Sequence, residues 1–219
     1  MLMFTRTDLS DLFRSLAERM AAEQDTLAEL DGEIGDADHG VAMAQGFAAA
    51  SRALIEAEAD GQTLADGLTL AATTLLNAVG ATTGPLYASA LLRAAQAFGP
   101  QQGVPFARLA DLIPAMAGGI VDRGRGKPGD KTMVDAWLPA AHAVQDGQRR
   151  GLDTPAILRA AALAAAEGAE ATRAMMAAQG RAARLGPRSI GHLDPGAASA
   201  AALLDSLARW AETAAGRRG

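Results

Sequence analysis

Helical periodicity runs through this chain with almost no competition, and its polar chemistry gathers where that periodicity breaks. Leu9, Leu12, Phe13, Leu16, Met20 and Leu27 recur at the i, i+3, i+4, i+7 spacing of one helix face, which predicts a helix over 8–30 with Asp8 able to cap it. The breaks that follow predict further helices over 38–59, 63–79 (Thr63 as cap) and 85–98 (Pro85 in the first turn). Pro105 opens another over 105–122, and 133–145 is a sixth that Pro139 can kink. Thr154-Pro155 and Asp194-Pro195 are cap-and-proline starts for helices over 154–179 and 194–215. Asp60-Gly61 reads as a turn. The expected fold is all-α: an antiparallel bundle of eight helices in one domain, 1–219, with no internal repeat and no dividing linker.

Such a core must be built from small side chains, because 49% of the residues are hydrophobic and only 4% aromatic. Alanine favours helices, and alanine-rich helices can approach one another closely. Little of the chain alternates Val, Ile, Thr and Tyr as strands do. The formal charge of −5 and the absence of a basic stripe argue against a nucleic-acid partner; Arg149-Arg150 and Arg217-Arg218 read as solvated ends. No cysteine is present, so disulfides and thiol catalysis are excluded. No signal-peptide pattern and no membrane-length apolar run occur, which predicts a cytoplasmic protein.

In an antiparallel bundle alternate loops share an end. The segments 31–38, 80–84, 123–132 and 180–194 therefore fall together, and these four carry the glycine, charge and hydroxyl groups. In "LDGEIGDADHG" (Leu30 to Gly40), Asp31, Asp36 and Asp38 offer hard oxygen donors of the kind Mg²⁺ takes alongside phosphate and water. The spacing is not that of an EF-hand, and helix capping by Asp36 or Asp38 is the competing reading. "GATTGP" (Gly80 to Pro85) joins two hydroxyls to a helix N-terminus, which suits phosphate or simply a capped turn.

Arg123, Arg125, Lys127 and Lys131 form either a lid that brings cations to an anionic ligand or a solvated loop. Met133 is core or the wall of a base pocket, and His39 touches phosphate or fixes its loop. The last loop adds Arg181, Arg184, Arg188, His192 and Asp194. Taken jointly, these groups describe a Mg-nucleotide site.

Four stretches, "LDGEIGDADHG", "TTGPLYASALLRAA", "RGKPGDKTMVDAW" and "GRAARLGPRSIGHLDPGA", give the chain a resemblance to the L subunits of dihydroxyacetone kinases along nearly its whole length. The resemblance implies an eight-helix antiparallel barrel with the nucleotide at one end. It implies that Asp31, Asp36 and Asp38 hold two Mg²⁺ ions, and that His39, Gly40, Val41, Ala42, Thr82 and Thr83 meet the phosphates. Gly124, Met133, Arg181, Asp194, Pro195 and Gly196 would surround the rest of ADP or ATP.

The resemblance further implies a K-type partner that holds the ketose. The phosphoryl donor would be either a phosphocarrier (M-type) subunit that recharges resident ADP, or exchanging ATP. Phosphoryl transfer relies on positioning and charge neutralisation, so no catalytic base is assigned on this chain. The pattern departs from the family at Ala42 and Ala44 (often asparagine), Gln45 (often arginine), Ala81 (usually glycine), Thr83 (usually serine) and Pro187 (commonly glutamate). A nucleotide-state sensor without transfer activity, and an inert helical scaffold, are the competing functional classes.

Overall fold

Side chains placed just outside the helices fix where several of them start. Thr5 and Asp8 cap each other's backbone reciprocally to open α1 (Arg6–Ala22), and Thr63 and Asp66 do the same for α4 (Leu64–Ala78). Asp153, not Thr154 as the sequence suggests, accepts the Ala156 N–H to start α8 (Thr154–Ala171), and Asp194 accepts the Ala197 N–H to start α9 (Pro195–Gly216); both helices carry proline in the first turn. The others are α2 (Gln24–Ile34), α3 (His39–Glu56), α5 (Thr83–Phe98), α6 (Leu112–Gly124) and α7 (Val134–Arg149). This computed structural model describes residues 2–57, 61–80 and 82–217, so Asp60, Ala81 and Arg218 of the sequence reading lie outside the described residues.

The all-α expectation holds, with three corrections to its elements. The first helix is two, because the chain breaks at Glu23 between α1 and α2. No glycine or proline marks that break, and Met20, Leu27 and Ile34 keep a seven-residue spacing across it, so the periodicity passes through. Pro105 does not open a helix. It ends β2 (Gly103–Pro105), which pairs antiparallel with β1 (Met3–Thr5) in the register Phe4 to Val104; a 3-10 helix, Phe106–Asp111, then leads into α6. Three-residue strands are too short to show alternation, and a strand of a two-stranded ribbon tolerates proline's missing donor. The seventh helix stops at Ala171 rather than near Gln179, continuing only as a 3-10 turn, Thr172–Ala174.

Neighbouring helices follow chain order. α1 packs on α3, and α3, α4, α5, α6, α7, α8 and α9 each pack on the next; α9 returns to α1, while α2 sits against α3 and α9. Their buried faces merge into one core dominated by alanine and leucine. An aromatic series crosses it from α1 to α7, with Phe13, Phe47, Tyr87 and Trp137 at successive centroid distances of 6.3, 5.7 and 6.3 Å. Among the described residues no helix is long and apolar enough to cross a membrane.

Candidate nucleotide and metal site

The corner between α2 and α3 is built around Asp31. One of its carboxylate oxygens, Oδ2, accepts the backbone N–H of Asp38 at 3.0 Å and of His39 at 3.2 Å. A residue on the last turn of α2 thus caps α3 from across the loop. Asp38 occupies the cap position itself but makes no side-chain cap bond, so the capping reading of Asp36 and Asp38 fails and their carboxylates stay free of that duty. Gly35 is required here, since a Cβ on it would stand 2.1 Å from the other Asp31 oxygen, Oδ1. Ala37 takes a left-handed φ of 63° to complete the corner. As a result, one oxygen from each of Asp31, Asp36 and Asp38 lies within 4.8 Å of the others, with Asp31 largely buried and the other two exposed.

Facing these carboxylates are helix N-termini. α3, α5, α7 and α9 all begin at a single cavity of about 270 Å³, and each contributes the positive end of its dipole. Among the described residues the Gly40 and Val41 N–H groups and the Thr82 and Thr83 hydroxyls make no hydrogen bond. The deeper wall is apolar, made by Ile34, Leu86, Ile120, Met133 and Val134. The cavity thus has a carboxylate corner, a rim of backbone donors and an apolar slot.

His39 is buried, and burial pushes its pKa down more than Asp31 and the Pro195 carbonyl push it up, which keeps the imidazole neutral. Its Nε2 lies 2.9 Å from Ser199 Oγ, which also sits 3.0 Å from the Gly196 carbonyl, so the ring tethers α3 to α9. On the floor Asp194 is pushed up to about 7, chiefly by burial and further by Asp135 and Asp31, with the Ala197 N–H and Lys131 opposing. Arg181 reaches over from the last loop to pair with Asp36, and lies 3.8 Å from Asp38. His192 Nδ1 meets Glu33 at 2.9 Å beside it. Exposed pairs of this kind contribute about 0–1 kcal/mol, so a bound cation can displace them.

The four loops converge as the alternation of ends requires. Of the residues that the resemblance assigns to metal and nucleotide, all but Gly40, Val41 and Ala42 line the cavity; those three form the first turn of α3 beside it, whereas Arg123, Arg125, Lys127, Arg184, Arg188 and His192 do not line it. Lys131 differs from its reading as an exposed cation. It is only 1% exposed, and its ammonium donates to the Thr172 carbonyl at 2.6 Å and to the His192 carbonyl. Arg123 at the end of α6, and Arg125 and Lys127 on the loop after it, remain exposed. Sequence reasoning missed Ile34, Leu86 and Ile120, which carry the same helical spacing as core residues, and Gln179, which it assigned to a helix.

The DAK2 domain family matches residues 33–209. The chain is 38% identical over 206 residues to the ADP-binding subunit DhaL of the PEP-dependent dihydroxyacetone kinase of Escherichia coli (strain K12), covering 93% of this chain and 96% of that one. It is 37% identical to the L-erythrulose 1-kinase of Mycolicibacterium smegmatis, covering 83% of this chain but 31% of that longer protein. The fold is shared with the crystal structure of the C. freundii dihydroxyacetone kinase in complex with AMP-PNP and Mg²⁺ (TM-score 0.69, 22% identity), of which this chain spans 33%. A match over most of the chain, with relatives of this identity along nearly their full length, means that the protein belongs to the DAK2 domain family, among the L-type (DhaL) subunits of kinases.

Proposed function

We propose that residues 1–219 act as one unit, the nucleotide-binding subunit of a short-ketose kinase, which holds Mg-ADP or Mg-ATP and passes a phosphoryl group to a ketose on a separate K-type subunit. The observation that carries this reading is the carboxylate corner of Asp31, Asp36 and Asp38 set against the open first turn of α3 and the hydroxyls at the start of α5. Its donors are hard oxygens, as Mg²⁺ requires. Gly35 keeps Asp31 Oδ1 accessible while Oδ2 caps α3, so the set fits the ion.

When bound, two Mg²⁺ ions would neutralise phosphate charge, which is most of what phosphoryl transfer needs. Asp31, Asp36 and Asp38 would hold them, and the Gly40 and Val41 N–H groups and Thr82 and Thr83 would orient phosphate oxygens. Met133, Gly124 and their apolar neighbours would enclose the base, with Arg181 and the Asp194-Pro195-Gly196 turn closing over the remainder. No side chain here needs to act as a base.

For the donor, the match of this chain to 96% of a separate ADP-binding subunit favours resident ADP recharged by a phosphocarrier protein over exchanging ATP. The similarity to an erythrulose kinase makes a four-carbon ketose a second acceptor to test beside dihydroxyacetone. The deciding experiment is to purify the chain without added nucleotide, denature it, and quantify released nucleotide and Mg²⁺ with and without EDTA. Near-stoichiometric ADP that leaves with EDTA is the expected result. An empty site that fills with ATP only when Mg²⁺ is supplied points to the exchanging donor, and failure to bind either nucleotide overturns the reading.

A further inference from the structure

Residues 173–191 form an excursion between α8 and α9 whose two stems almost touch. Across the neck Gly191 N–H donates to the Arg173 carbonyl at 2.7 Å, and Asp194 N–H to Thr172 Oγ1 at 2.9 Å. Lys131 comes from a third segment, before α7, and its single ammonium binds a carbonyl on each stem, Thr172 and His192. To reach there it adopts a left-handed φ of 59°, uncommon for any residue with a side chain. Packing alone would not choose a buried ammonium at this position; an apolar side chain of the same length would fill it. The same segment also props the tip of the excursion, where Asp130 accepts Ala178 N–H at 3.1 Å and Gln179 Nε2 at 2.9 Å. Gln179 and Arg181 ride on this excursion at the edge of the cavity.

We propose that Lys131 is a positioning residue that clasps the neck of 173–191, so that the segment carrying Gln179 and Arg181 stays closed over the cavity and a bound nucleoside diphosphate is released slowly. The consequence for release rests on the nucleotide-site reading above; the clasp itself does not. Burial, with help from Arg173, lowers the lysine pKa, and Asp194 and Asp135 oppose that fall.

The test is hydrogen–deuterium exchange on the whole chain without nucleotide, followed by release of a fluorescent ADP analogue in Mg²⁺, for Lys131→Met and Lys131→Arg. Methionine keeps the volume and removes the donors. It should accelerate exchange across 173–191 by about tenfold or more, the scale of losing charged hydrogen bonds, leave α1 and α4 as in the wild type, and speed analogue release by a similar factor. Arginine should restore part of both effects.

Unchanged exchange over 173–191 in the methionine variant overturns the clasp, even if ADP then binds less tightly, because that pattern is a direct phosphate contact. Should the methionine variant not fold, Thr172→Val opens the same neck from the other side and is judged by the same exchange. A wild type that binds no ADP removes the nucleotide reading but leaves the exchange comparison to decide the clasp.

Discussion

Asp31 serves two partners with its two oxygens, and that division separates the aspartates experimentally. Oδ2 caps α3, so Asp31→Ala should cost about 1–2 kcal/mol of stability in addition to any loss of ligand. Asp36→Ala and Asp38→Ala should abolish nucleotide retention with helical content nearly unchanged, because neither side chain supports a helix start; circular dichroism beside nucleotide quantification checks both. Asp194 makes a different prediction. Its carboxyl is raised from 3.8 to about 7, so between those values the folded chain holds a proton that the unfolded chain has released. Stability should therefore fall as pH rises from about 4 to about 7 and level off above, by an amount on the order of a few kcal/mol. Asp194→Asn should flatten that slope, which denaturant midpoints at pH 5 and pH 8 for both proteins will reveal. The gathering of three carboxylates among glycines was readable in the sequence, and the structure brings them together, but their division of labour was not legible. Which carboxylate caps a helix depends on a contact from the last turn of α2 to residues seven and eight positions on, and spacing alone does not carry that geometry.

At the scale of elements, the α2–α3 corner depends on close backbone approach. A Cβ on Gly40 would lie 2.0 Å from the Gln24 carbonyl on the neighbouring helix. Gly40→Ala should push the two helices apart and cost about 3 kcal/mol, read as a lower urea midpoint, and it should weaken nucleotide retention because Asp31 sits on the displaced helix. Helix starts marked by Thr63 and by Asp194-Pro195 were legible, since capping is local chemistry; at the start of α8 the proline was legible but the cap is Asp153 rather than Thr154. The early end of α8 was not. "ATRAMMAAQG" is strongly helix-forming, yet Thr172 is fully buried with its hydroxyl donated to the Ala169 carbonyl while it accepts from Asp194, and those tertiary bonds end the helix. Gly168 shows the same dependence on context: the Asp135 carbonyl, which Pro139 leaves without its helical donor, packs there so closely that a Cβ would be 2.0 Å away.

For the molecule as a whole, the sequence carried the convergence of four loops at one end through the parity of its helices, although it miscounted them. Splitting the first helix at Glu23 did not disturb that parity, because α2 lies to the side of the succession that runs from α1 to α3. Four helix N-termini and three clustered carboxylates in one cavity link ligand binding to global stability. Mg-ADP at a hundred times its Kd should raise the melting temperature by about 5–10 °C, and EDTA should remove the gain; scanning calorimetry checks both.

The other end has its own consequence. Phe4 meets Trp210 edge to face at 5.8 Å, and Trp210 lies roughly 22 Å along α9 from the cavity. The polypeptide thus enters and leaves the fold side by side, far from the cavity. A unit with adjacent docking points on its far side can be spliced into a larger polypeptide or kept as a free-standing part with no change to its working face. The same architecture occurs in both formats, spanning 96% of one relative and 31% of another.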